Sequence, residues 1–154
     1  MRGQLLGVSK KEISRSIASL SRFAQFAVVF GVDSKTEKFP GTGKAAQASA
    51  HQKKEAARFL KRVAPTGRSQ LEEDLRQGLK LAAALESQDR VLIYVGDGQV
   101  FSKDPPALVL GRIRALNTAR VPIHVVGITP YSRNVTFLKQ LALENGGTYR
   151  QVDS

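Results

Sequence analysis

Arg90-Val-Leu-Ile-Tyr-Val-Gly96 is a short, almost wholly apolar run that closes on Asp97-Gly98. A run of that length, rich in β-branched residues, reads as a strand buried on both faces, the kind a parallel sheet uses. In an open α/β sheet, ligands and metal ions collect beyond the carboxyl ends of the strands, which is where Asp97 falls. Asp97 is therefore the leading candidate site residue. Asp-Gly also forms turns, so a structural role for Asp97 stands beside the functional one.

Similar runs lie on either side. Val121-Pro-Ile-His-Val-Val-Gly-Ile128 is a second strand, with Pro122 near its start, where a missing donor is tolerated. Phe23-Ala-Gln-Phe-Ala-Val-Val-Phe-Gly31 is a third, and Thr148-Tyr-Arg-Gln-Val152 a short fourth. Helix signals separate them. Ser9-Lys-Lys-Glu12 has the form of a capping box before Ile13, Ile17 and Leu20, and predicts a helix near 9–21. A polar stretch from Asp33 to about Gln47 reads as a long loop, followed by a helix through Ala56, Ala57, Phe59 and Leu60 that stops before Pro65. Ser69-Gln-Leu-Glu72 is a second capping box, opening a helix with Leu71, Leu75, Leu79 and Ala83 on one face. After Asp104-Pro-Pro106 comes a helix through Val109, Ile113 and Leu116. Asn134 is expected to cap a last helix through Leu138 and Leu141, ending at Asn145-Gly-Gly147.

Strands alternating with helices give an α/β class: a doubly wound, mostly parallel sheet with helices on both faces. At 154 residues, a single domain spanning 1–154 is the expectation. The opening helix breaks the alternation, because it has a strand to enter and none to leave. A strand upstream of Met1 would restore the pattern, so the first strand is expected to be missing. Its absence would leave two strand edges unpaired.

The net charge is +11, and residues 1–68 hold 14 Lys and Arg against 4 Asp and Glu. That half could attract phosphates, anionic surfaces or an acidic partner through its long-range field, but no aromatic stacking pattern accompanies it. A solvated, lysine-rich helix surface accounts for it as simply. No cysteine is present, which excludes disulfides, thiolate metal sites and a cysteine nucleophile. No run approaches the roughly 20 apolar residues of a membrane span, and the stretch before Ser9 is too short for a signal peptide.

Three stretches together resemble the von Willebrand factor type A domain over essentially the whole chain. Asp97-Gly98 after Val91-Leu-Ile-Tyr-Val resembles that family's Asp-Gly after its fourth strand. Pro65-Thr-Gly-Arg-Ser69-Gln-Leu resembles its Gly-Gly-Thr-Asn-Leu loop, and the portion from Arg112 to Tyr149 looks like its carboxyl-terminal part. Met1-Arg-Gly3 matches the last three positions of the family's Asp-x-Ser-Gly-Ser-Met-x-Gly string. The resemblance implies a metal-ion-dependent adhesion site built from an Asp, two Ser, a Thr and a second Asp. Oxygen ligands of that type suit Mg²⁺. Ser69 would stand for the Thr and Asp97 for the second Asp, and the other three ligands have no counterpart. Weak or absent Mg²⁺ binding is therefore expected. Ser69 is equally a helix N-cap, with Glu72 completing the box.

Other motifs carry less. Phe39-Pro-Gly-Thr-Gly-Lys44-Ala45 lacks the first Gly and the final Ser or Thr of a phosphate-binding loop. His51 and His124 are too few for a metal cluster, and His124, within an apolar strand, reads as a hydrogen-bonded structural residue. Glu72-Glu73-Asp74 reads as a solvated, dipole-favoured first turn. The expected function is a protein-interaction module, not an enzyme. It would bind its partner at the carboxyl-end face of the sheet, metal-bridged where the missing motif is supplied. The alternative is a basic-surface binder of nucleic acid or anionic surfaces.

Overall fold

The computed structural model describes residues 2–32, 35–64, 70–100, 103–129 and 131–152. Its elements run α1 (Arg2–Ser19), β1 (Gln25–Phe26), β2 (Val28–Val32), β3 (Lys35–Phe39), β4 (Ala46–Gln47), α2 (Ala50–Arg62) and α3 (Leu71–Ala83), then β5 (Leu92–Gly96), α4 (Pro106–Leu116), β6 (Ile123–Gly127), α5 (Ser132–Glu144) and β7 (Tyr149–Gln151).

The alternation produces the expected parallel sheet as β5-β6-β7, with Tyr94 opposite Val125 and Val125 opposite Tyr149. That row faces α3, α4 and α5. Leu75, Ile113, Leu138 and Leu141, each at most 2% exposed, pack with Ile123 and Val125 there. Burying each such side chain contributes about 1.5–3 kcal/mol. The alternate row, Val95, Val126 and Arg150, looks toward the other face. Helix α1 lies across that face, where Glu12 accepts from Arg150 Nη2 at 2.5 Å and from Arg15 at 2.9 Å. The Arg150 hydrogen bond holds the buried Glu12 carboxyl below its usual range, against the opposing effect of desolvation. Helices on both faces make the fold doubly wound.

A second core gathers α1, α2 and the β1–β2 segment around Ile17, Phe26, Val28, Ala56, Phe59 and Leu60. Here the sheet is interrupted. β2 pairs antiparallel with β3, β1 pairs with β4, and among the described residues none of these strands bonds to β5.

Several local expectations are corrected. Helix α1 begins at Arg2, so Ser9 is not its cap; the Ser9 hydroxyl donates to Leu5 O inside the helix at 3.0 Å. The stretch from Asp33 to Gln47 is not one loop, since Lys35–Phe39 folds back on β2 and Ala46–Gln47 pairs with β1. Asn134 lies inside α5, whose N-cap is Tyr131. The N-cap of α3 is Gln70, and the Glu72 carboxylate takes a bidentate pair from Arg112 at 2.6 and 2.9 Å. Ala82, not Ala83, completes the buried face of α3.

Asp74 is no solvated cap either. It is half-buried against Gly31 of β2 and accepts from the Thr36 hydroxyl of β3 at 3.3 Å. Burial pushes its carboxyl up to about 6.

Asn117, 8% exposed, closes the turn between α4 and β6. Its Nδ2 donates to Val121 O at 2.8 Å and to Asn145 Oδ1 at 3.0 Å, and its Oδ1 accepts from Val121 N at 2.8 Å. Asn117→Ala leaves the buried Val121 amide unpaired and is expected to cost about 2–3 kcal/mol in urea unfolding. Combined with Asn145→Ala, the loss should be less than additive, because the two side chains share a bond.

Asp74 generates a pH-dependent prediction. A carboxyl raised from 3.8 in the unfolded chain to about 6 in the folded one loses stability as pH rises through that window. The stability of Asp74→Asn relative to the unsubstituted chain should therefore climb between pH 4 and 6 and level off above. A flat difference across pH 4 to 7 would refute the assignment.

Candidate functional site

β5 delivers Asp97 to the carboxyl end of the parallel sheet, one residue past the ladder, where Gly96 O still accepts from Ile128 N at 3.0 Å. Two hydrogen bonds and a glycine fix it there. Asp97 Oδ1 accepts from the Gln99 amide at 3.0 Å, forming a turn over Gly98. Gly98 has φ +65°, and a Cβ on it would come within 2.6 Å of Leu138, so conformation and space both require glycine. The Asp97 carbonyl accepts from Asn134 Nδ2 at 3.0 Å, which ties the turn to α5. The turn-forming role of Asp97 is thus seen, and it does not use up the carboxylate. A carboxylate offers about four lone-pair positions, and one amide leaves capacity for a ligand.

Around this carboxylate the sheet end is polar and hydrogen-bonded. Thr129, 2% exposed, accepts from Tyr131 N through its hydroxyl at 3.3 Å, and its carbonyl accepts from Gln151 Nε2 at 2.9 Å. Tyr131 itself is 56% exposed beside them. Burial first, then the negative charge of Asp97, pushes the Tyr94 hydroxyl well above the ordinary tyrosine range, so it stays a neutral phenol at the mouth of the sheet. Tyr94 and Asn134 escaped the sequence reading. Tyr94 reads there as one more apolar strand residue, and Asn134 as a cap.

Ser69, the second predicted ligand, lies outside the described residues, as does the rest of Pro65–Ser69. Among the described residues no three His, Cys, Asp or Glu side chains come together as a metal group. The nearby Thr129 hydroxyl is already engaged by Tyr131. A hard divalent cation takes six or more oxygens. Among the described residues, one carboxylate beside an engaged hydroxyl falls short of such a set.

The remaining motifs settle into structural places. His124 Nδ1 lies 2.9 Å from the Thr148 hydroxyl and 3.2 Å from its amide, bracing β6 against the start of β7. Phe39–Ala45 connects β3 to β4, so no helix N-terminus stands behind Lys44 to receive a phosphate. Several first-half cations are internal braces: Lys10 donates to Val63 O, Lys53 to Leu20 O, and Lys38 to Gln77 of α3.

Comparison with curated proteins gives no match. Solved structures do match. A von Willebrand factor type A protein from Catenulispora acidiphila superposes with a TM-score of 0.82 at 20% identity, over 97% of this chain and 34% of that one. This chain thus spans about a third of that protein's length. An aerotolerance-related membrane protein from Bacteroides fragilis gives 0.69 at 15% identity, over 97% and 81% of the two chains. Proximal thread matrix protein 1 from the mussel byssus, with a zinc-occupied MIDAS motif, gives 0.65 at 15% identity, over 99% and 39%. At these identities the likeness shows a shared fold. The family model for the von Willebrand factor type A domain matches residues 1–151, and the chain belongs to that family.

Proposed function

We propose that this chain is a protein-binding module, not an enzyme, and that it engages its partner at the carboxyl end of the β5-β6-β7 sheet. The observation that carries this is the immobilised Asp97 carboxylate, held by Gln99 N and Asn134 and flanked by the exposed Tyr131. A fixed anion beside an exposed aromatic ring suits a partner surface that presents a cation or hydrogen-bond donors. The family supports the reading, since domains of this type typically bind proteins. The byssus protein's zinc-occupied motif supports a divalent ion in the family. In this chain a metal bridge requires ligands beyond Ser69 and Asp97.

Asp97→Asn is the informative variant, because the amide oxygen keeps the bond to Gln99 N while the charge is lost. With a photo-crosslinker at the exposed Gln99, the native-source extract should yield a crosslinked protein. Asp97→Asn should weaken capture by about tenfold, the scale of one charge-assisted hydrogen bond, with the melting temperature little changed. Crosslinking to nucleic acid, with a steep loss on added salt, would instead favour the basic surface.

A further inference from the structure

The basic charge of the first half is concentrated on one helix face. Between Glu12 and Glu72 the acids are Asp33, Glu37 and Glu55. Helix α2 turns Ala56, Phe59 and Leu60 inward. The helical period then sets His51, Lys54, Arg58, Lys61 and Arg62 on its outward side, and all five are exposed. Glu55 is the only acid of α2, and it pairs with Arg58. Lys10 and Lys53 are drawn inward to backbone carbonyls, whereas Lys54, Lys61 and Arg62 make no hydrogen bond or ion pair among the described residues. From Lys54 to Arg62 the helix advances about 12 Å, so these cations form one short row facing solvent.

An apolar side chain stands beside this row. Ser21 to Ala24 is a tight turn, closed by Ala24 N on Ser21 O at 3.0 Å and by Phe23 N on the Ser21 hydroxyl at 3.2 Å. Phe23 at its tip is 75% exposed and belongs to neither core. The turn is tied to β4 and the start of α2: Gln47 Nε2 donates to Arg22 O at 3.2 Å, and Lys53 Nζ to Leu20 O at 2.5 Å. The ring is thus held out into solvent next to the basic face by a fixed piece of backbone.

Arg22 decides which anionic partner suits this pair of features. Its guanidinium lies over one face of the Phe23 ring, 4.8 Å from the centroid, which leaves a nucleobase one face at most to stack on. Insertion into a bilayer needs no free face. The ring edge enters the acyl boundary, and the guanidinium remains with the headgroups.

We propose that the outward face of α2 and the Ser21–Ala24 turn form a docking surface for an anionic lipid bilayer. Phe23 enters the acyl boundary, and Lys54, Lys61, Arg62 and Arg22 meet the negative headgroups. The cations supply attraction to the charged leaflet, and the ring supplies the apolar contact that holds the surface down. The surface uses no residue of the Asp97 site, so the inference stands independently of the partner reading above.

The chain has no tryptophan, so Phe23→Trp places a single reporter at the tip of the turn. With vesicles of phosphatidylcholine containing about one-third phosphatidylserine, its emission should shift to the blue and be quenched by brominated acyl chains. Vesicles of phosphatidylcholine alone should leave it unchanged. In co-sedimentation of the full chain, Phe23→Ser should weaken binding to the anionic vesicles by about tenfold. Lys54→Gln with Lys61→Gln should weaken it by about thirtyfold, the loss of two cations from an anionic surface, and the melting temperature should stay in place in both variants. No binding, equal binding with and without phosphatidylserine, or undiminished binding by Phe23→Ser would overturn the proposal. So would vesicle binding with the tryptophan unquenched. Tighter binding of a single-stranded oligonucleotide at the same salt would overturn it too, with nucleic acid then the occupant.

Discussion

Helices α1 and α3 hold the β5-β6-β7 sheet to the strands of the first half, with which it shares no strand pairing among the described residues. In a continuous sheet, neighbouring strands satisfy one another's amides, and the helices merely cover the faces. Here the covering helices also bridge. Helix α1 reaches from the α2 core to β7 through Glu12 and Arg150, and α3 reaches from β5 to the β2–β3 hairpin through Asp74 and Gln77. The side chains that make these bridges include two carboxylates shielded from water, and each needs a specific partner to be tolerated. Glu12 has two arginines, whereas Asp74 has a threonine hydroxyl and keeps a raised proton affinity.

The site at the sheet end is built on a different economy. Asp97 is held by a two-residue turn, a glycine that no other residue could replace without strain, and one amide from α5. These are short-range devices anchored in the better-packed core, so the carboxylate is positioned without help from the β2–β3 half. This is why a partner-binding role for Asp97 is coherent even where the described residues supply no metal cage.

How much was legible in the sequence follows from how local each signal was. β5 and β6 stand out because each is a continuous apolar run, although Val91 and Ile93 at β5 stay 52% and 47% exposed. Asp97 was found for the same reason, since it closes such a run. β3 was read as loop because Lys-Thr-Glu-Lys carries no apolar face; its strand character comes from pairing with β2, and Lys38 and Thr36 are used to reach α3. The early start of α1 is hard to read because Gly3 and Gly7 weaken helix propensity. Glu72, Asp74 and Asn134 looked like helix-end residues, and their true partners, Arg112, Thr36 and the Asp97 carbonyl, lie 37 to 40 residues away. Partnerships across such distances leave no periodic trace.

The bond between Glu12 and Arg150 spans 138 positions of the chain. Glu12 leaves the ribosome long before its main counter-ion does. Until β7 has been made, the Glu12 carboxyl has Arg15 of its own helix as a partner but not Arg150. Contacts of such long range are formed late and slow the search for the native state. Helix α1 is thereby made well before the strand that secures it, and its seat on the sheet is completed only when β7 arrives.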